Sequence, residues 1–496
     1  MWRSVGILII LFFTFQFLRL LITAIYNVYL HPLRKVHGPQ LWVAFPLIRN
    51  YHMIHGDLDY IVKDFHERWG DVVRLGPNLL SFTSAAAWKD IYGHGHAELP
   101  KSLGNIVDEK KIFAANAANH FRYRRAMLPA FSEKALAQQE SLMLVYVDLL
   151  MVKLREAVQK GGQVDMVRFF TFTTFDLIAD LTYGVPLQGL AEGKSNDWIE
   201  TMKGAARFLP VMILASLFPV VGTVLKLIAS PKMRNSRARH EEYCTKLTMD
   251  RITRKEHADR GDFMDYIMRS RGEKHELSDE ELVANCDFLM VAGSDTTASL
   301  LSGVTFWLLK TPSALKKVVE EVRAAFENDE DITFRAATAK LPYLLACLDE
   351  GLRIFPPVPL MLARHTLPGP PTPIAGLLVP ENTRVGVNHF AAYHSHRNFH
   401  RAHEYIPERW LPESTQDPQS PFYNDKREVH KPFSFGPRDC IGRNLAYHEM
   451  RLIMTKLLWH FDLIGLAPES LDWNKQNIIL GWEKPPLNIV LRERVQ

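Results

Sequence analysis

Phe433-Ser434-Phe435-Gly436-Pro437-Arg438-Asp439-Cys440-Ile441-Gly442 is the stretch on which the reading of this chain turns. Its cysteine lies between two glycines and two residues after an arginine. Glycine lets backbone approach a flat ligand closely and turn sharply into the next element. Arg443–Phe461, which follows, is strongly apolar and predicts a helix beginning just after the cysteine loop. Amides at a helix N-terminus donate toward a sulfur and stabilise its thiolate, and Arg438 adds positive charge. A lone cysteine is ordinarily a small, inert hydrophobe. Cys244, Cys286 and Cys347 fit that description; Cys440, in so specialised a loop, reads as a ligand.

No two of the four cysteines form a CxxC pair, which excludes a zinc ribbon or a thioredoxin-like motif. Four in 496 residues do not make a disulfide framework, so a reducing, cytosol-facing setting is expected. The absence of an Asn-x-Ser/Thr sequon agrees with it. At 47% hydrophobic residues the chain can bury one large core, and its net charge of +4 gives no argument for nucleic acid.

A second specialised stretch lies upstream. Ser278-Asp279-Glu280-Glu281 is a capping box, and the apolar-rich run after it reaches Lys310 before Pro312 closes it. Midway sits Ala292-Gly293-Ser294-Asp295-Thr296-Thr297. Gly293 costs about 1 kcal/mol against alanine in a helix. Threonine hydroxyls bond a carbonyl one turn back and loosen a helix locally, leaving room for small molecules.

Together these stretches resemble the cytochrome P450 family. Phe433, Gly436, Arg438, Cys440 and Gly442 meet its Phe-x-x-Gly-x-Arg-x-Cys-x-Gly signature in full, and Ala292–Thr297 resembles its Ala/Gly-Gly-x-Asp/Glu-Thr-Thr/Ser helix pattern. The resemblance implies a mainly α fold with small β-sheets, and haem b (iron protoporphyrin IX) as cofactor. It makes Cys440 the axial iron ligand, with Phe433, Gly436, Arg438 and Gly442 around the haem. A thiolate ligand pushes electron density onto iron and favours O–O cleavage. It further implies that Thr296 orders oxygen and water while Asp295 relays protons.

Glu350-Gly351-Leu352-Arg353 ends a helix that Pro356-Pro357 stops, and Pro407-Glu408-Arg409-Trp410 follows later. The i,i+3 spacing puts Glu350 and Arg353 on one helix face. By resemblance, Glu350, Arg353 and Arg409 form a structural charged network behind the cysteine loop. Haem propionates need cationic or donor partners. His120-x-x-x-Arg124 stands where the family often has Trp-x-x-x-Arg; with Arg364 and Arg438 these residues are the implied partners.

The N-terminus predicts a membrane anchor. Residues 5–30 are almost wholly apolar and long enough to span about 30 Å of hydrocarbon. No small-x-small cleavage site follows. Arg34 and Lys35 outnumber the single Arg3, placing the body on the cytoplasmic side. The expected organisation is an anchor over 1–30, a stiff, non-helical Pro/Gly hinge over 31–41 and a haem-thiolate domain over 42–496. Its setting is a single-pass protein of the endoplasmic reticulum membrane. The body reads as mostly helical, with a long helix over 133–160 and short strands near 71–75, 79–83, 383–388 and 487–491. The apolar run 207–228, broken by Pro210 and Pro219, suits either core packing or a second membrane-dipping patch.

No GxGxxG or GxxxxGK[ST] occurs, so electrons are expected from a separate protein, by resemblance an NADPH–cytochrome P450 reductase. Lys426, Arg427, Lys431 and Arg443 flank the cysteine loop and suit an acidic partner. The segments 99–118, 288–292, 358–362 and 478–481, implied to line the pocket, are mostly apolar and favour a hydrophobic ligand. The layout resembles fungal microsomal P450 monooxygenases of secondary metabolism. It implies insertion of one oxygen atom into a hydrophobic small molecule, as hydroxylation or epoxidation. A haem-thiolate isomerase or dehydratase, and a membrane-anchored haem sensor, are competing readings; neither needs the Asp295-Thr296 pair.

Overall fold

The computed structural model describes residues 2–102, 108–161, 163–194, 231–254 and 260–495. The apolar run 207–228 lies outside the described residues, as does 103–107 of the expected pocket loop.

Helix α1 (Trp2–Ile25) continues as a π-helical turn over Tyr26–Leu30. The span Val5–Leu30 has none of its most apolar window buried, and Ile10 and Phe13 stand about two-thirds exposed. Such a surface is unstable in water and stable in lipid. The segment beyond differs from the non-helical hinge expected. His31 Nδ1 accepts from the Leu33 amide at 3.1 Å and caps a 3-10 turn over Pro32–Lys35. Proline is tolerated there because its missing N–H would be unpaired anyway. The segment is also packed on the body. Leu33 is buried, and the Arg74 amide donates to His37 carbonyl oxygen at 2.8 Å. A Cβ on Gly38 would lie 2.1 Å from the Arg74 carbonyl oxygen, so only glycine allows this approach.

The helices that place the site are α2 (Ala117–Met127), α3 (Glu133–Gly161), α4 (Met166–Tyr183), α5 (Pro231–Thr253), α6 (Asp279–Lys310), α7 (Pro342–Ile354) and α8 (Arg443–His460). Both halves of the expected capping box are made at Ser278 and Glu281, so α6 begins where the sequence indicated. Its 32 residues extend for roughly 48 Å through the body. It packs against α4 so closely that a Cβ on Gly293 would stand 2.7 Å from Ile178 Cδ1. That contact accounts for the glycine, and α6 stays helical through 291–300. Thr174 Oγ1 donates to the Ser294 carbonyl oxygen at 3.0 Å across the same contact.

The described strands are β1 (Val72–Gly76), β2 (Leu79–Phe82), β3 (Gln163–Asp165), β4 (Arg364–His365), β5 (Thr372–Ile374), β6 (Leu377–Val379), β7 (Arg384–Val387), β8 (Phe461–Leu466) and β9 (Asn488–Glu493). They form a sheet of order β1-β2-β7-β4, a sheet of order β3-β9-β8 and the hairpin β5-β6. Only the β2–β7 pairing is parallel. The fold is thus mainly helical with small sheets, as expected. Phe461, read from sequence as the last helical residue, opens β8 instead.

Glu350, Arg353 and Arg409 come together with no side-chain exposure. Arg353 grips Glu350 with two bonds, Nε to Oε2 at 2.9 Å and Nη2 to Oε1 at 2.7 Å. Arg409 Nε donates to Glu350 Oε1 at 3.2 Å, and Trp410 Nε1 donates to Oε2 at 2.9 Å. Arg353 also donates to the carbonyls of Tyr393, Ala402 and Glu404. Asp425, unnoticed in the sequence, pairs with Arg409 and brings the buried charges to two of each sign. Burial opposes ionisation of Glu350, but the two arginines hold its pKa below the usual carboxyl range.

Candidate active site

A cavity of about 2300 Å³ runs inward from the anchor side of the body. Leu20 of α1, Phe45 and Leu47 lie along its outer part. Its inner part is bounded by Cys440, Ile441 and Gly442 on one side and by Ala292, Asp295 and Thr296 of α6 on another.

The cysteine loop is shaped by two close approaches. Gly436 has φ +82°, and a Cβ there would fall 1.7 Å from the Tyr92 carbonyl oxygen. No side chain fits. The Cys440 amide donates to Phe433 carbonyl oxygen at 2.8 Å, closing the loop just before α8. Phe433 packs its ring 5.4 Å from that of Tyr447 on α8. Cys440 lies deep in the protein yet opens onto the cavity. Burial raises the pKa of its thiol, while the Gly442 amide, Arg124 and Arg443 act in the other direction. A Cβ on Gly442 would meet nothing closer than Cys440 Sγ and Phe131, both at 3.9 Å, so the space beside the sulfur is clear.

Four expected donors gather on the same inner wall: His120 and Arg124 from α2, Arg364 from β4 and Arg438 from the cysteine loop. A fifth was missed. Lys101 forms an isolated bridge with Arg364, donates to Phe113 carbonyl oxygen at 2.5 Å and lies over the Phe113 ring at 4.1 Å. Burial and the neighbouring Arg364 and Arg438 push its pKa down to about 7. Burial and the same cations push His120 down to about 3. Among the described residues, two carboxylates stand against them. Glu98 lies 2.5 Å from Arg438 Nε and 4.0 Å from Arg364 Nη1, and Asp439 takes Arg124 at 2.6 Å. This wall carries more positive than negative charge in a place where charge is costly. It therefore suits an anionic ligand with more than one carboxylate beside Cys440. Those are the requirements of a haem, and the residues fit one.

On α6, Thr296 Oγ1 donates to Ala292 carbonyl oxygen at 2.7 Å, one turn back as expected. Asp295 has a partner that sequence reasoning missed. Lys484 Nζ is 2.7 Å from both Asp295 Oδ1 and Ser299 Oγ. Lys484 follows the 478–481 pocket segment closely, and the one signal for it was a charge beside an apolar wall. Glu449 of α8 also reaches the cavity. It is 1% exposed, both its oxygens lack a hydrogen bond of good geometry, and burial pushes its pKa up to about 8 despite Thr297 nearby.

The basic residues around the loop divide. Lys426 and Arg443 are exposed. Arg427 does not project as expected, because its guanidinium donates to the carbonyls of Arg409, Asp425 and Phe422. Lys431 lies over the Phe435 ring at 5.7 Å.

The cytochrome P450 family model matches residues 37–489. The cytochrome P450 monooxygenase dtxS2 of Metarhizium robertsii is 44% identical over 499 residues, covering 99% of this chain and 96% of its own. The trichothecene C-4 hydroxylase of Trichoderma arundinaceum is 42% identical over 491 residues, covering 99% and 98%. The cytochrome P450 monooxygenase olcB of Penicillium canescens is 44% identical over 476 residues, covering 96% of each chain. A site built for a thiolate-bound haem and a match over nearly the whole body agree: this chain belongs to the cytochrome P450 family. It is a haem-thiolate monooxygenase, similar to fungal enzymes of secondary metabolism, and it works with a redox partner on hydrophobic substrates.

Proposed function

We propose that this enzyme hydroxylates an apolar fungal metabolite that reaches it from the endoplasmic reticulum membrane, with electrons from an NADPH–cytochrome P450 reductase; epoxidation would use the same site. The observation that carries the proposal is one cavity joining Cys440, the cationic wall and Asp295-Thr296 inside to Leu20 and Leu47 outside. A lipid-soluble compound partitioning beside α1 meets apolar side chains along that path.

Cys440 would hold haem b at the inner end, where the group would supply dioxygen binding and electron storage. His120, Arg124, Lys101, Arg364 and Arg438 would hold its propionates, and Phe433, Gly436 and Gly442 would shape the loop around it. The remaining work belongs to the chain. Thr296 presents a hydroxyl at the cavity wall and orders water there. Asp295 accepts a proton from the outer side at Oδ1, where Lys484 holds it, and passes one inward. Ser299 completes that chain of polar atoms. The apolar walls exclude bulk water and keep the substrate carbon beside the oxidant. Glu350, Arg353 and Arg409 hold the cysteine loop from behind. Reductase docks where Lys426 and Arg443 are exposed. The body faces the cytoplasm, with α1 as a single span in lipid.

The test is expression in a reductase-containing host, with metabolite profiling and counting of NADPH and O₂ per product. Turnover indifferent to both would replace this reading with an isomerase or dehydratase.

A further inference from the structure

Outside the haem site, three side chains of metal-ligating type converge. His240 and Cys244 stand one turn apart on α5, and Asp287 faces them from α6. Their ligand atoms all lie within 4.8 Å of one another. Cys244 Sγ is 3.6 Å from His240 Nε2 and 3.7 Å from Asp287 Oδ1; His240 Nε2 is 2.8 Å from Asp287 Oδ1. A tetrahedral zinc ion with zinc–sulfur near 2.3 Å and zinc–nitrogen or –oxygen near 2.05 Å sets ligand atoms about 3.4–3.6 Å apart. The two sulfur distances already match, and the nitrogen–oxygen pair must open by about half an ångström.

We propose that His240, Cys244 and Asp287 form a binding site for one zinc-class divalent cation. Mixed sulfur, nitrogen and oxygen donors suit this borderline-soft ion better than calcium or magnesium. Lys111 supports the geometry from outside. Its Nζ holds Asp287 Oδ2 at 2.6 Å, leaving Oδ1 as a single-atom donor turned toward the other two ligands. A second feature points into the cluster. Tyr183 is 1% exposed, and its buried hydroxyl lies against Cys244. A water takes the fourth position. Binding releases the protons of the thiol and of the His240 ring nitrogen that meets the metal.

The site is not remote from substrate. Asp287 precedes Phe288, which stacks on Phe113 at 5.6 Å, and both rings line the cavity. A bound cation ties α5, α6 and the strand of chain at Lys111–Phe113 into one wall.

The experiment uses purified holoenzyme equilibrated with zinc, freed of excess by gel filtration, and analysed for zinc per haem iron. One zinc per iron is expected, with affinity lowered at least tenfold by His240→Gln, Cys244→Ser or Asp287→Asn and unchanged by Cys347→Ser. The reduced, carbon-monoxide-bound spectrum verifies that each variant is folded. No retained zinc, or equal retention by the three variants, would overturn the proposal. If the variants fail to fold, the zinc K-edge spectrum of the wild type decides. One sulfur among lighter ligands is expected; a shell without sulfur sinks the idea.

Discussion

Lys484 Nζ stands 2.7 Å from Asp295 Oδ1 and equally far from Ser299 Oγ, so the acid beside Thr296 is held by a side chain from the far end of the sequence. Lys484 is almost fully buried, whereas Asp295 keeps 43% of its side chain open to the cavity. The lysine therefore positions the carboxylate, and the carboxylate meets the solvent in the site. Lys484→Met is expected to lower product formed per NADPH about tenfold, a cost near 1.4 kcal/mol, and to enlarge the solvent isotope effect. Lys484→Arg should restore much of the coupling. Unchanged coupling in Lys484→Met would remove the lysine from the proton path.

Cys440→Ala is expected to abolish the red-shifted Soret band that thiolate-ligated iron gives when reduced under carbon monoxide. The fold should survive, because neither glycine of the loop is altered. A variant that keeps the band would end the assignment of Cys440.

The cationic wall predicts a graded loss of cofactor. Lys101→Met removes one of five donors and should speed haem release several-fold, read by transfer to apomyoglobin. Arg438→Met should do more, since it also takes from the half-buried Glu98 its 2.5 Å partner. Haem release unaffected by Lys101→Met would show that this lysine serves only the Phe113 carbonyl.

Glu350→Gln keeps the shape and removes one of two buried negative charges facing Arg353 and Arg409. Uncompensated buried charge costs about 3–5 kcal/mol. The variant should unfold at markedly lower denaturant concentration and accumulate as haem-free protein. A loss below about 1 kcal/mol would mean that the network matters little.

Glu449 predicts a pH dependence. Its folded pKa, about 8, is raised above an unfolded value of 4.5. The folded state thus binds the extra proton, and this contribution to stability is full below about 4.5 and lost as pH rises through 8. Glu449→Gln, permanently neutral, should gain on the order of 1–3 kcal/mol over wild type at pH 9 and little at pH 5. Parallel denaturation curves at the two pH values would refute it.

What the sequence disclosed was local. The Cys440 loop, the Ser278 capping box and the Glu350–Arg353 spacing each depend on residues a few positions apart, and each stands where it was read. The misses are long-range or carry an unusual local signal. Lys101 meets Arg364 across more than 260 residues, and Lys484 meets Asp295 across 189. Nothing near either lysine announces burial. The β5–β6 hairpin escaped notice because its turn uses Ala375-Gly376, both with positive φ, where Asn-Gly is the usual signal. Gly293 was read only as a cost to the helix; its cause, Ile178, lies on another helix.

The seating of Gly38 on the Arg74 carbonyl has a mechanical outcome. A freely jointed leader would let the body swivel and bob above the bilayer. Here Leu33 is buried in the body and His37 is fastened to β1, so α1 leaves the body at a set inclination and acts as a strut. In the proposed membrane setting the threshold near Leu20 and Leu47 would ride at a constant depth, level with the compounds it admits. Trimming the leader to gain solubility would take away part of the doorway along with the mooring.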